Sequence, residues 1–232
     1  MRYNEGCDAL HCGGTGERDN GNGSLMRILP IAFVISSYCS GHSIYENEMM
    51  NLVHDLSSLT HRHLRSQMAC GIYVMIALEL IENDGDMSLE EMIESGMEKA
   101  RRYYCGDERF SAELKHFNRI FDGKIGNLPR DEIKSGGYTI SSLEASIWCM
   151  LNNDSYRDTV LEAVNLGYDT DTTACVVGGL AGIYYGYEDI PGEWIETLAR
   201  LDYLEGMIDG FECALDGFLN ESEVLESDGL IN

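Results

Sequence analysis

The chain has 232 residues, 44% of them hydrophobic, enough to bury a substantial core and too many for a disordered chain. Forty acidic residues against 16 basic ones give a net charge of −24, which excludes nucleic acid and anionic membrane as partners because both need clustered Lys and Arg. The eight cysteines, at 7, 12, 39, 70, 105, 149, 175 and 213, contain no Cys-x-x-Cys pair.

Several cysteines lie in apolar helical stretches, as Cys70 and Cys175 do, so buried reduced thiols in a cytoplasmic protein are expected. No charged-then-apolar leader opens the chain, and apolar runs such as 174–185 are too short to span a bilayer. Residues 1–23 are irregular and crowded with glycine at 13, 14, 16, 21 and 23. They read either as a loose lead-in or as a loop bringing backbone N–H groups close to a ligand. Cys7, His11 and Cys12 form one short cluster without a second pair, too little for a soft-metal site.

Ser24 to Val34 reads as a helix start with Ser24 near its cap, and a helix N-terminus preceded by glycines suits a pyrophosphate. Met26 reads as packing, while Arg27 is open between a phosphate contact and a structural salt bridge. Apolar spacing of three and four then predicts helices over 44–56, 66–81, 89–103, 110–121, 141–151, 156–166 and 193–219. His61 and His63 fall between the first two of these; at i, i+2 they share no helical face and read as loop histidines contacting carbonyls. Connections such as 82–88 and 122–138 are rich in Gly, Asn, Asp and Pro. The reading is an all-α, multi-helix bundle forming a single domain over 1–232, with 221–232 expected to fray.

The most informative stretch is 165–186. Asp169 reads as an N-cap, Thr170 to Thr173 as a first helical turn and Gly186 as the stop. Gly178, Gly182 and Gly186 leave one face nearly bare, at about 1 kcal/mol each relative to alanine, which predicts close backbone approach at the centre of a bundle. Asp169, Asp171 and Thr172 supply hard oxygens that select Mg²⁺, Ca²⁺ or Mn²⁺ over zinc; the alternative is a cap and a first-turn acid with no metal. Downstream, residues 189–228 hold twelve Asp or Glu against Arg200, with 205, 209, 212 and 216 on a solvated stripe opposite Met207, Ile208, Phe211 and Leu215.

GYDTDTTACVVGGLAGIYYG over 167–186, with Ile190-Pro191 and Trp194, resembles the C-terminal signature of the ADP-ribosylglycohydrolase family, which includes the dinitrogenase reductase-activating glycohydrolase and ADP-ribosyl-acceptor hydrolases. Gly21-Asn22-Gly23-Ser24-Leu25-Met26-Arg27 with Pro30, Ser58-Leu59-Thr60-His61, and Gly137-Tyr138 through Leu143-Glu144-Ala145 and Trp148 follow the family's order. The resemblance implies Mg²⁺-dependent hydrolysis of a glycosidic bond between ADP-ribose and an acceptor side chain or small molecule, or a non-catalytic ADP-ribose-binding relative. It implies Asp169, Asp171 and Thr172 as metal ligands, one ion or two with Mn²⁺ as the alternative, and Asp169 and Asp171 as catalytic residues. It further implies Asn22, Gly23 and Ser24 against the pyrophosphate or ribose, and His61 on the pocket wall. The family's Gly-Asp-Ala-like opening and Thr-Asp-Asp-Thr motif do not occur here, so an N-terminally truncated member is expected, exposing an apolar surface that favours self-association.

Overall fold

A computed structural model gives the fold and describes residues 6, 8–39, 46–83 and 85–227. Helices dominate: α1 Pro30–Cys39, α2 Glu46–Ser58, α3 Leu64–Glu82, α4 Leu89–Gly106, α5 Asn118–Phe121, α6 Thr139–Leu151, α7 Tyr156–Asn165, α8 Thr170–Tyr185, α9 Gly192–Glu196 and α10 Leu201–Ser227. Among the described residues, extended pairing is confined to two bridges, Gly14 with His61 in parallel and Gly21 with Tyr138 in antiparallel sense. The all-α expectation stands. Cys7 and residues 228–232 lie outside the described residues, and the backbone is helical to Ser227 where fraying was expected from 221.

α3 is the hub. It is apolar all round, which a helix tolerates only when buried on every side, and it packs against α1, α2, α4, α6 and α8. Its 19 residues are long and apolar enough to cross a membrane, contrary to the reading of the apolar runs, yet most of them are spent on this core. Full burial of side chains such as Ile72, Ile76 and Met68 stabilises by roughly 1.5–3 kcal/mol each. α4 starts where a capping box dictates: the Ser88 hydroxyl accepts from Glu91 N–H at 3.3 Å, and Glu91 accepts from Ser88 N–H at 2.8 Å.

Three predicted helices differ. The stretch from Ser24 forms a short 3-10 turn, Leu25–Arg27, and the α-helix begins only at Pro30, whose missing N–H costs nothing in a first turn. The stretch 110–121 breaks into 3-10 turns at Glu108–Phe110 and Leu114–Phe117 before α5, with the intervening Glu113 carboxylate accepting from Arg65 of α3. The stretch 193–219 splits into α9 and α10 around Arg200, which sits at φ +61°.

The glycine face of α8 also differs from its reading. Gly178, Gly179 and Gly182 line an open groove with Leu29, Phe33 and Leu80, while Val176, Val177, Leu180 and Ala181 fill the core. Cys175 is exposed rather than buried; Cys70 and Cys149 are buried thiols. Close approach is to side chains: a Cβ on Gly179 would lie 2.6 Å from Leu29 Cδ2 and 2.8 Å from the Tyr73 hydroxyl, which donates to Val176 O at 2.9 Å. A Cβ on Gly178 would meet only ordinary contacts, at 3.5 Å to the Tyr156 hydroxyl.

Two predictions follow from this packing. Gly178→Ala should raise stability by up to about 1 kcal/mol through helix propensity, whereas Gly179→Ala should lower it by about 1–3 kcal/mol through overpacking; urea unfolding separates the two. His54, buried with Nε2 2.9 Å from the Tyr104 hydroxyl, has its pKa pushed down to about 4, first by burial and then by Arg109. The unfolded chain therefore binds a proton near pH 6.5 that the folded chain refuses until about pH 4. Its contribution is complete above pH 6.5 and lost as the pH falls to about 4, on the order of 3 kcal/mol, a slope that His54→Gln should remove from chemical unfolding curves.

Candidate active site

The approach to α8 is held in a strained turn. Gly167 and Tyr168 take φ of +84° and +59°, a region costing a tyrosine of order 1–3 kcal/mol. Ser135 clamps both sides, its hydroxyl donating to Gly167 O at 2.9 Å and its carbonyl accepting from Asp169 N–H at 3.0 Å. Asp169 does occupy the cap position, but its carboxylate makes no capping bond. Its Oδ2 instead accepts from Asn22 Nδ2 at 2.7 Å, a charge-assisted bond linking residues 147 positions apart.

Asn22 is buried, and its Nδ2 also donates to the Ser142 hydroxyl of α6 at 2.8 Å. The backbone around it is zipped to the segment before α6. Asn22 N–H donates to Gly137 O at 3.2 Å, Thr139 N–H donates to Asn20 O at 3.0 Å, and Gly21 pairs with Tyr138. Gly137 lies against the Asp169 carboxylate, whose Oδ2 is 3.4 Å from where a Cβ would be. Gly23 is bare because a Cβ would lie 2.9 Å from His61 Cε1, so glycine permits close approach of an imidazole ring. His61 Nδ1 lies 2.9 Å from the Thr60 hydroxyl, and half-burial, then the nearby Arg27, lowers its pKa and keeps the ring neutral.

The other expected residues fall as follows. Ser24 is wholly buried and turned inward, its hydroxyl 3.1 Å from that of Ser57 and accepting from the Cys70 thiol at 3.5 Å. Arg27 donates to Leu56 O at 2.9 Å and the Thr60 hydroxyl at 2.8 Å, tying its 3-10 turn to the end of α2 rather than forming a salt bridge. His63 caps α3, its Nδ1 accepting from Arg65 N–H at 3.2 Å. Asp171 is exposed in the first turn of α8. Thr172 is buried with its hydroxyl 3.6 Å from Met26 Sδ, a weak acceptor that leaves the oxygen lone pairs unspent.

Two carboxylates and one hydroxyl at a helix start fit a hard divalent ion that keeps several waters, as Mg²⁺ does. They do not fit a closed zinc site, and among the described residues no three His, Cys, Asp or Glu side chains converge as metal ligands.

Sequence reasoning passed over the group that holds this arrangement together. Arg65, in the first turn of α3, is buried and donates through Nη1 and Nη2 to the two oxygens of Glu17 at 2.7 and 3.0 Å, and through Nε to Glu113 at 2.5 Å. One guanidinium therefore grips the loop before Asn22 and the segment before α5. A cation at a helix N-terminus is disfavoured by about 0.3–1 kcal/mol, a mismatch that marks Arg65 in the sequence as a residue with another duty.

Residues 1–223 match the profile of the family described as ADP-ribosylglycohydrolase. Curated relatives include "ADP-ribosylarginine hydrolase Tri1" of Pseudomonas putida, 29% identical over 185 residues that make 80% of this chain and 44% of that protein. The "ADP-ribosyl-[dinitrogen reductase] glycohydrolase" of Rhodospirillum rubrum is 28% identical over 182 residues, 78% of this chain and 52% of that protein. The chain thus spans about half the length of these relatives. A solved structure titled "ADP-ribosylglycohydrolase-related protein complex" shares the fold with a TM-score of 0.65 at 22% identity, over 88% of this chain and 68% of the other.

Glu17→Gln should leave the helices intact while speeding amide exchange at Asn22 and Thr139, whose N–H groups close the zipper. Arg65→Ala should cost on the order of 3 kcal/mol, because it leaves the largely buried Glu113 with only His116, at 3.8 Å, beside it. Hydrogen exchange and denaturant unfolding read the two effects separately.

Proposed function

Because the chain belongs to the ADP-ribosylglycohydrolase family, we propose that it takes part in hydrolysing the glycosidic bond between ADP-ribose and an acceptor side chain or small molecule, with Mg²⁺ (or Mn²⁺) held by Asp169, Asp171 and Thr172. The observation that carries this reading is the Asp169 carboxylate: released from capping, it is aimed by Asn22 from the far side of the sequence. A carboxylate with only a structural duty at a helix start would accept from the N–H groups of its own first turn.

In this reading, positive charge builds on the ribose C1″ and ring oxygen as the bond breaks, and the Asp169 and Asp171 carboxylates stabilise it. A bound divalent ion supplies Lewis acidity, orienting ribose hydroxyls and polarising a water. Asn22 holds Asp169 in one rotamer. Gly21, Gly23 and the His61 ring form a wall against which the nucleotide lies, with Arg27 nearby. Ser24 supports that wall from inside. The name of the Pseudomonas putida relative favours arginine as the acceptor. A second reading, ADP-ribose binding without turnover, draws on the small ligand set: among the described residues no three His, Cys, Asp or Glu side chains converge as metal ligands.

Calorimetric titration of the metal-stripped protein with MgCl₂, with and without ADP-ribose, tests the site. Saturable Mg²⁺ binding is expected, abolished by Asp171→Ala and weakened about 10- to 100-fold by Asn22→Ala, which removes only the partner of a ligand. Release of ADP-ribose from ADP-ribosyl-arginine or ADP-ribosyl-serine peptides then separates turnover from binding alone. A folded protein that binds no Mg²⁺ overturns the reading.

A further inference from the structure

α10 is amphipathic in sequence, and such a helix ordinarily covers its apolar stripe. Here the stripe stands in solvent. Met207 and Ile208 are 56% and 57% exposed, and Tyr203 and Leu204 beside them are 55% and 39% exposed. The helix packs mainly on α1, with Leu201, Phe211 and Leu215 half-buried. Contiguous exposed apolar side chains on one helix face mark an interaction surface rather than the scattered residues found on any protein.

The charges around the stripe say what covers it. Residues 201–227 carry eight Asp or Glu and no Lys, Arg or His, and the acids at 202, 205, 209 and 212 run along one flank of the apolar stripe. Such a face is an apolar band with an anionic border on one side. We propose that it docks a basic amphipathic segment of another protein, one whose Leu, Ile or aromatic anchors seat on Leu204, Met207 and Ile208 while its Lys and Arg meet Asp202, Glu205, Asp209 and Glu212. A second copy of this chain is the poorer occupant, since two cation-free helices would set like charges opposite one another. The net charge of −24 adds long-range attraction for a cationic partner, so association is fast and salt-sensitive. The inference is independent of the proposed hydrolysis, because α10 contributes none of the residues at Asp169.

The probe is a fluorescent amphipathic peptide with leucines at i, i+3, i+4 and i+7 and lysines on both flanks, titrated into the 232-residue protein and followed by anisotropy. Saturable binding is expected, weakened at least tenfold by Met207→Ser with Ile208→Ser and at least fivefold between 50 and 300 mM NaCl. Glu90→Gln with Glu94→Gln, on the exposed side of α4, should leave it unchanged, and a peptide with glutamates for lysines should not bind. The substituted α10 side chains are exposed, so these variants should fold, as circular dichroism checks. Three results overturn the proposal: no binding, binding indifferent to the α10 substitutions, or a concentration-dependent dimer in sedimentation that the same substitutions dissolve, which assigns the face to a second copy.

Discussion

The hydrogen bond from Asn22 to Asp169 is the constraint on which the rest of the site depends. It joins the loop before α1 to the first turn of α8 across 147 residues, with Ser142 of α6 as the third point of contact. Each partner forgoes an ordinary local role in making it. Asp169 leaves the N–H groups of its own helix uncapped, and Asn22 is withdrawn from solvent into a site where its amide protons have two fixed acceptors. A buried amide with both protons satisfied specifies one arrangement of three segments. The strained Gly167-Tyr168 turn is what such over-determination permits: Ser135 holds it from both sides, and α8 begins where Asn22 requires.

Beneath that bond lies α3, which serves the core along its length and the site at its start. Its apolar body packs on five other helices, and its first turn offers Arg65 to Glu17 and Glu113. A guanidinium suits this task because its planar fork binds a carboxylate in two places while a third N–H remains for another. The cost is a cation at the wrong end of a helix, offset by charge-assisted bonds in a largely buried setting. The walls of the site are thereby tied to the most buried element of the molecule.

Electrostatics gives the proposed chemistry its logic. A pyrophosphate-bearing substrate approaching a surface of net charge −24 is repelled at long range. In the proposed chemistry, recognition would fall to short-range groups: the Asp169 and Asp171 carboxylates with any ion they hold, and an imidazole whose pKa burial lowers. The proposed cationic acceptor would suit so acidic a surface.

The sequence alone determined the helical class and most helix positions, and it singled out the cluster for which a chemical role is proposed. Spacing of apolar residues at three and four positions, the Ser88–Glu91 box and the Asp-Thr-Asp-Thr run are local patterns, and local patterns survive reading in one dimension. What each polar atom faces was decided by tertiary structure. Asp169 reads as a cap because the competing donor, Asn22, is invisible from within the motif. Ser24 reads as a ligand contact because nothing in GNGS shows that Ser57 and Cys70 claim its hydroxyl. The partner of Glu113, Arg65, lies forty-eight residues away and is likewise invisible from its own stretch. The exposed stripe of α10 escapes an amphipathic pattern, which shows that a face is apolar and not whether anything covers it. Periodicity and capping are properties of neighbours along the chain, whereas hydrogen-bond partners and burial belong to neighbours in space.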